Sequence, residues 1–104
     1  MFFVRRRREN PCLERDKPGA TDADFAPHLK AEAVRVWELY QQGIVRELYF
    51  HRDKQTAMLV VEVESVEAAR AILETLQLVK SGAINFELIP LVPYSGFERL
   101  FTEK

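Results

Sequence analysis

The chain has few of the residues on which small proteins build covalent or metal-based frameworks. Its 104 residues include one cysteine, Cys12, and two histidines, His28 and His51. A lone cysteine cannot form an internal disulfide, and the two histidines fit none of the spacings by which zinc is bound. The sequence also lacks a phosphate-binding loop and a dinucleotide fingerprint. We therefore predict a protein without a resident metal or organic cofactor, in a reducing, cytoplasmic location.

An excess of one charge and long apolar runs are missing as well. The 15 basic and 16 acidic residues leave a net charge of −1, so no global field attracts nucleic acid or an anionic membrane. No apolar run approaches the roughly 18 residues that a membrane helix needs. In MFFVRRRR the basic run follows the apolar residues, which is not the order of a secretory signal. We expect neither a nucleic-acid nor a membrane partner, and interpret Arg5–Arg8 as part of a strand that faces solvent, a partner subunit or a polar pocket.

What the chain does contain is a regular succession of strand and helix patterns. Hydrophobic residues make up 47% of the sequence, which is enough for one folded domain over residues 1–104. Gly43–Leu91 has the pattern of strand, tight turn, strand, helix and strand, the back half of a split β-α-β unit. A strand over Phe2–Arg8 and a helix over Asp24–Gln42 precede it. The pattern predicts an α+β, ferredoxin-like β-α-β-β-α-β fold with a four-stranded antiparallel sheet.

Two segments lie outside this pattern. Asn10–Asp24 is rich in proline, glycine, aspartate and threonine, and predicts a long loop or lid that carries Cys12 as an inert thiol. The C-terminal segment, residues 92–104, follows the last predicted strand and contains the apolar residues Tyr94, Phe97, Leu100 and Phe101. Such apolar density in a tail predicts docking, on its own subunit or on a neighbour's.

The helix predicted over Asp24–Gln42 has an apolar face with one charge in it. Asp22 or Asp24 is expected to cap this helix, and Gly43 to end it. At about 100° per residue, the apolar side chains fall in one arc of roughly 160°. They are Phe25, Leu29, Ala33, Val36, Trp37, Leu39 and Tyr40. Glu32 lies inside the arc, and a carboxylate buried there needs a partner.

The register of the following hairpin predicts that partner. With Asp53-Lys54 in the turn, the predicted pairs are Phe50 with Ala57, Leu48 with Leu59, Arg46 with Val61 and Ile44 with Val63. Because side chains alternate across a sheet, Arg46 would then point under the helices toward Glu32. The opposite sheet face is mixed but too apolar for free solvent. It suits a second subunit, which predicts a homodimer or a higher homo-oligomer.

Glu32 and Arg46, with the aromatic residues Trp37, Tyr40 and Tyr49, form the constellation that suggests chemistry. In a functional interpretation these residues surround a pocket for a small-molecule ligand, between the helix and the sheet. Arg46 would hold a carboxylate or carbonyl oxygen, and Glu32, with its pKa raised by apolar walls, would move a proton. In a structural interpretation the two form a buried ion pair, and the pKa of Glu32 is lowered instead. The residues alone leave both interpretations open.

Within Gly43–Pro93 the chain resembles the muconolactone delta-isomerase family. The similar motifs are Gly43-Ile44-Val45-Arg46, Val61-Glu62-Val63-Glu64-Ser65, Leu76-Gln77-Leu78 and Phe86-Glu87-Leu88-Ile89-Pro90-Leu91. The family has a glycine-then-arginine strand, a VES sequence before its second helix, an LPL segment and an EVTPL-like last strand. Glu32 falls on a glutamate of the family. The chain departs from the family at Phe3-Val4, where the family has a histidine, and at Gln77, where it has a proline.

The resemblance implies a ferredoxin-like domain that pairs its sheets into a dimeric α+β barrel. It also implies a cofactor-free, proton-shuttle isomerisation of a small unsaturated lactone, or a related intermediate of aromatic-compound breakdown. Arg46 would grip the lactone's carboxylate and Glu32 would serve as acid and base. Cofactor-free monooxygenases and decarboxylase-like enzymes share this fold. The hypothesis from another class is a non-catalytic module that binds small molecules or a protein partner.

Overall fold

The computed structural model describes residues 8–102. In chain order the elements are strand β1 (Arg8–Asp16), helix α1 (Asp22–Phe25), a 3-10 turn (Ala26–His28), helix α2 (Leu29–Gln41), strands β2 (Val45–Phe50) and β3 (Ala57–Val63), helices α3 (Val66–Leu73) and α4 (Gln77–Lys80), strand β4 (Ile84–Leu88) and a 3-10 helix (Gly96–Phe101). Apart from the backbone of Arg8, the first strand predicted over Phe2–Arg8 and its arginine run lie outside the described residues.

The four strands form one antiparallel sheet in the order β2-β3-β1-β4. β1 therefore lies between β3 and β4, and the β2–β3 hairpin forms one side of the sheet. The helical segments follow β1 and β3 along the chain, as the split β-α-β plan requires. The α+β, ferredoxin-like architecture predicted from the sequence is confirmed.

The loop predicted over Asn10–Asp24 is wrong in its first half, because β1 continues to Asp16. Cys12 pairs with Leu59 of β3 on one side and with Leu88 of β4 on the other. The strand was hidden in the sequence because Pro11 interrupts it. Pro11 is tolerated because it lies opposite the end of β4, where its carbonyl accepts a hydrogen bond from the backbone N–H of Ile89 at 2.8 Å. The ladder bond that a proline cannot donate is therefore missing only at the margin of the pairing.

A β-bulge in β2 overturns the predicted position of Arg46. The hairpin begins as predicted, with Phe50 opposite Ala57, but the register shifts between Val45 and Glu47. Val45, rather than Arg46, consequently pairs with Val61. A bulge adds one residue to one strand, so the side chains beyond it change face. Val45 is 1% exposed and joins the core, in the position that an unbroken alternation assigns to Arg46.

The core lies between the helices and the sheet face that carries Val45 and Val61. Its buried members are Cys12, Leu39, Val45, Leu59, Val61, Val63, Ala69, Leu73, Leu76, Leu78, Ala83, Ile84 and Phe86. Helix α3 contributes Ala69 and Leu73 to the core, and Ser65 caps it, its Oγ accepting from the N–H of Ala68 at 3.0 Å. No helix within the described range is long and apolar enough to cross a membrane.

The helix predicted over Asp24–Gln42 is divided into α1, a turn at Pro27 and α2. Thr21, not Asp22 or Asp24, caps α1, and its backbone N–H donates to the Asp24 carboxylate at 2.8 Å. On α2 only Leu39 is fully buried. The remaining apolar side chains of the predicted arc are half-buried or exposed, with Trp37 at 57%. The sheet therefore leaves part of the apolar face of α2 uncovered.

Candidate functional site

An open cleft of about 800 Å³ lies between α2 and the sheet. Its helical wall is formed by Phe25, Leu29, Glu32, Ala33, Val36, Trp37 and Tyr40. Its other lining residues include Glu14, Leu48, Tyr49, Phe50, Ala57, Leu59 and Phe86. A concave, mainly apolar volume with a few convergent polar groups is the usual form of a small-molecule site.

Glu32 is half-buried in the helical wall, as its place in the apolar arc predicted. Its Oε1 accepts a hydrogen bond from the backbone N–H of Leu78 at 3.0 Å. Burial raises the pKa of Glu32, while the backbone N–H groups of Leu78 and Gln77 and the nearby His28 act in the opposite direction. The carboxylate has the partner that its burial requires, but the partner is backbone at the start of α4.

Glu14 is an acidic residue of the cleft that the sequence pattern did not indicate. It lies on β1, and its Oε1 accepts a hydrogen bond from the backbone N–H of Ala57 at 2.8 Å. Burial, and then hydrogen bonding to the Asp16 carboxyl, raise the pKa of Glu14 from 4.5 to about 7. The signal that could have indicated Glu14 is the alternation of side chains along β1, which places Glu14 on the same face as Cys12.

Glu14 and Glu32 approach the cleft from opposite sides, one from the sheet and one from the helix. The charge of Glu32 is one of the causes that raise the pKa of Glu14, so the two carboxyl groups interact electrostatically. With a pKa of about 7, Glu14 is divided between its acid and carboxylate forms near neutral pH. A proton donor and a proton acceptor are thus available in one apolar cleft.

The structure brings all three predicted aromatic residues to the cleft. Trp37 and Tyr40 stack along α2 with their ring centroids 6.0 Å apart and an interplanar angle of 25°. Tyr49 lies across the cleft on β2, and its hydroxyl donates to Glu47 at 2.7 Å. This hydrogen bond and the charge of Glu47 raise the pKa of the Tyr49 phenol. The aromatic groups offer flat surfaces on which a small ring can pack.

Arg46 does not line the cleft, which corrects the predicted pair with Glu32. Its Nε lies 3.9 Å from Oε2 of Glu62, a buried carboxylate of β3, and about half of the Arg46 side chain is exposed. The bulge is the cause, because it moves Val45 into the position that an unbroken strand would give to Arg46. Both sequence interpretations of an Arg46–Glu32 pair, as a ligand site and as a structural ion pair, are therefore wrong in their geometry.

His28 is not among the residues that line the cleft. His28 is half-buried rather than fully on the surface, with its Nδ1 3.4 Å from Nε2 of Gln77. Within the described part of the chain, no group of three or more histidine, cysteine, aspartate or glutamate side chains is arranged to hold a metal ion.

Comparison with known proteins identifies the fold and no family. No family model matches the chain, and no curated protein matches it in sequence. The solved structures include a match of TM-score 0.66 and 13% identity, which covers 85% of this chain and 97% of the other. It is the 5-chloro-2-hydroxyhydroquinone dehydrochlorinase of Burkholderia phenoliruptrix, in complex with 2,5-dihydroxybenzoquinone. The chain has the ferredoxin-like fold. At this identity the likeness extends to the fold alone, and that neighbour is an enzyme that processes a small molecule.

Proposed function

We propose that the chain is a small, cofactor-independent enzyme of the muconolactone isomerase type. It would move protons within a small unsaturated lactone or a related ring compound from aromatic breakdown. The observation that carries the proposal is the presence of Glu14, with a pKa of about 7, across an aromatic-lined cleft from the half-buried Glu32. The resemblance over Gly43–Pro93 supports the reaction type.

The two carboxyl groups suit the two halves of a double-bond shift. One group must remove a proton from the carbon next to a carbonyl, and another must return a proton at the far end of the conjugated system. The backbone N–H of Leu78 donates to Glu32 and favours its carboxylate form, which suits the base. Glu14 retains a proton up to about pH 7, which suits the donor. No atom other than hydrogen changes position.

The aromatic residues Trp37, Tyr40 and Tyr49 are proposed to bind the ring of the substrate. All three line the cleft, and the stacked pair Trp37–Tyr40 presents its rings on the helical wall. The structural neighbour supports a substrate of this size, because its name and ligand describe six-membered ring compounds with hydroxyl groups. Arg46 has no part in this proposal because it lies outside the cleft.

The proposal is tested by measuring proton exchange as well as turnover. Muconolactone, its neutral methyl ester and related unsaturated lactones are incubated with the protein in D₂O, and deuterium incorporation is followed by NMR. We expect exchange of at least one of these lactones by the wild type, and a loss of about 10²–10⁴-fold in Glu14→Gln and Glu32→Gln. Glu38→Gln, an exposed residue of α2 away from the cleft, is the matched control and should leave exchange unchanged. Exchange that survives in both cleft variants would rule out the assigned roles.

A second candidate is a non-catalytic module that binds a small molecule in the same cleft. One observation favours it: Glu14 and Glu32 each accept a hydrogen bond from a backbone N–H, of Ala57 and Leu78, as purely structural carboxylates do. Under this alternative a ring compound binds against Trp37 but exchanges no proton with solvent. Binding without exchange across the lactone series would favour the module over the enzyme.

We further propose that the chain forms a homodimer or a higher homo-oligomer. The 3-10 helix Gly96–Phe101 and the residues before it expose four large apolar side chains, between 68% and 85% of each. They are Tyr94, Phe97, Leu100 and Phe101. Exposed apolar side chains at this density are typical of an interaction surface, and a second copy of the chain is the partner we propose.

A further inference from the structure

The charged side chains that line the cleft are almost all acidic. Glu14, Asp16, Asp22 and Glu32 are carboxylates, and Lys54 is the one basic lining residue in the described part of the chain. No arginine or histidine of residues 9–102 lines it. Because acidic side chains outnumber basic ones, the cleft has a negative electrostatic potential. Its apolar walls lower the local dielectric constant, so this potential is screened less than it would be in water.

Three basic residues that are close in sequence to lining residues of the cleft are engaged with other carboxylates. Arg15 pairs with Glu87, its neighbour across β1 and β4. Lys17 lies 4.0 Å from the carboxylate of Asp24. Arg46, the residue expected to meet an anionic group of the ligand, lies against Glu62 because of the bulge in β2. Among the described residues that line the cleft, Lys54 is therefore the one basic side chain that could pair with an anionic group of a ligand.

We propose that the cleft selects uncharged ring compounds that carry hydroxyl groups, and rejects the corresponding carboxylates. An ionised carboxylate accepts hydrogen bonds and donates none, so Glu14 and Glu32 pair favourably with a ligand hydroxyl. A carboxylate on the ligand would meet like charges at short range in a partly desolvated site. The inference rests on the proposed function, since it concerns the same cleft. It narrows the substrate, among unsaturated lactones and related ring compounds, to those that carry hydroxyl groups and no carboxylate.

The experiment uses the single tryptophan as its reporter. Trp37 is the one tryptophan of the chain and lines the cleft, so its fluorescence reports binding there directly. The full chain is titrated at pH 8 with hydroquinone and with 4-hydroxybenzoate, which differ in one substituent of the ring. We expect hydroquinone to bind at least about tenfold more tightly. Equal or tighter binding of 4-hydroxybenzoate overturns the inference, as does the absence of quenching by either compound up to millimolar concentration.

Variants assign the selectivity to the two carboxylates. In Glu14→Gln/Glu32→Gln the Kd for 4-hydroxybenzoate should fall about tenfold, because the repulsion is removed while the volume of each side chain is kept. Glu67→Gln, an exposed acidic residue of α3, is the control and should leave both affinities unchanged. An unchanged Kd for 4-hydroxybenzoate in the folded double variant overturns the assignment.

Affinity and proton exchange together separate this inference from the proposed function. Selective binding of hydroquinone by a protein that exchanges no substrate proton supports the selectivity and refutes the catalysis. Exchange on an acidic lactone that binds as tightly as its neutral methyl ester supports the catalysis and refutes the selectivity.

Discussion

At the scale of single residues, Glu14 shows how burial changes the chemistry of an ordinary carboxyl group. It faces the cleft from β1, one of the two inner strands of the sheet. Burial raises its pKa to about 7, and the carboxyl groups of Asp16 and Glu32 act in the same direction. The hydrogen bond from the Ala57 N–H is the opposing influence. The folded protein therefore binds a proton at Glu14 more tightly than the unfolded chain does.

This difference in proton affinity predicts a pH-dependent stability. Between the unfolded pKa near 4.5 and the folded pKa near 7, the folded state holds a proton that the unfolded state has lost. The free energy of unfolding therefore decreases as the pH rises through this window. Glu14→Gln keeps the acceptor for the Ala57 N–H and removes the charge. We expect the free energy of unfolding to decrease less between pH 5 and pH 8 in Glu14→Gln than in the wild type. Because Glu14 is only half-buried, the expected difference is about 1–2 kcal/mol.

Urea denaturation of the wild type and Glu14→Gln at both pH values measures this quantity. Glu67→Gln serves as the control for the loss of one exposed carboxylate. Curves of stability against pH that run parallel in the wild type and Glu14→Gln would contradict the raised pKa.

Cys12 provides a separate test of the position of β1. It is fully buried, its Sγ donates to the Asn10 carbonyl at 3.2 Å, and burial raises the pKa of the thiol to about 11. Because the thiolate is the reactive form, we expect the native thiol to be inert to Ellman's reagent at pH 8. In 8 M urea one thiol per chain should react rapidly. Rapid reaction of the native protein would show that residue 12 lies in an open loop.

At the scale of secondary structure, the bulge in β2 decides which residues meet the helices. It exchanges a charged side chain for an apolar one at the position opposite Val61. A strand that alternated without interruption would bury Arg46 and leave Val45 on the other face. The functional consequence is that no arginine side chain of residues 9–102 lines the cleft.

A pair of conservative substitutions tests this register. Val45→Thr preserves the shape of the side chain but places a hydroxyl in the core, and we expect a loss of about 1–3 kcal/mol of unfolding free energy. Arg46→Lys keeps a half-exposed charge near Glu62 and should change stability by less than about 0.5 kcal/mol. Chemical denaturation measures both. A tolerated Val45→Thr combined with a damaging Arg46→Lys would support the uninterrupted register.

At the scale of the whole molecule, the described chain is more extended than a compact domain. Its radius of gyration is 16.7 Å, against about 13 Å expected for a domain of this length. Its principal extents are 60 × 29 × 23 Å. The segment after β4 makes one aromatic contact of its own, between Tyr94 and Phe97, whose ring centroids lie 5.0 Å apart. Its large apolar side chains are mostly exposed.

The proposed assembly predicts a definite response to changes in this segment. We expect multi-angle light scattering to give at least the mass of a dimer at about 10 μM, since interfaces of standard size are stable there. Phe97→Ser/Phe101→Ser should increase the monomer fraction, because it removes apolar surface from the proposed interface. Glu98→Gln, an exposed neighbour, is the matched control. A wild type that is monomeric at this concentration would refute the assembly.

Several features followed from the sequence by itself because they depend on local periodicity. The apolar arc predicted for the helix indicated that Glu32 is a charge within an apolar face. It also indicated that Trp37 and Tyr40 lie on that same face. The strand–turn–strand–helix pattern of Gly43–Leu91 determined the fold class. Turn residues and apolar spacing report on a few neighbours along the chain, and the elements they describe were found in place.

Only the tertiary structure decided the composition of the cleft. Glu14 became a cleft residue because β1 continues through Pro11 to Asp16, beyond the strand end predicted at Arg8. Arg46 lies outside the cleft because the bulge at this residue changes the face of Val45, which takes the position opposite Val61. A shift of one residue in a sheet alters every contact beyond it while leaving the local sequence pattern almost unchanged. The fold is therefore a property of the periodicity, and the charge of the cleft is a property of the pairing.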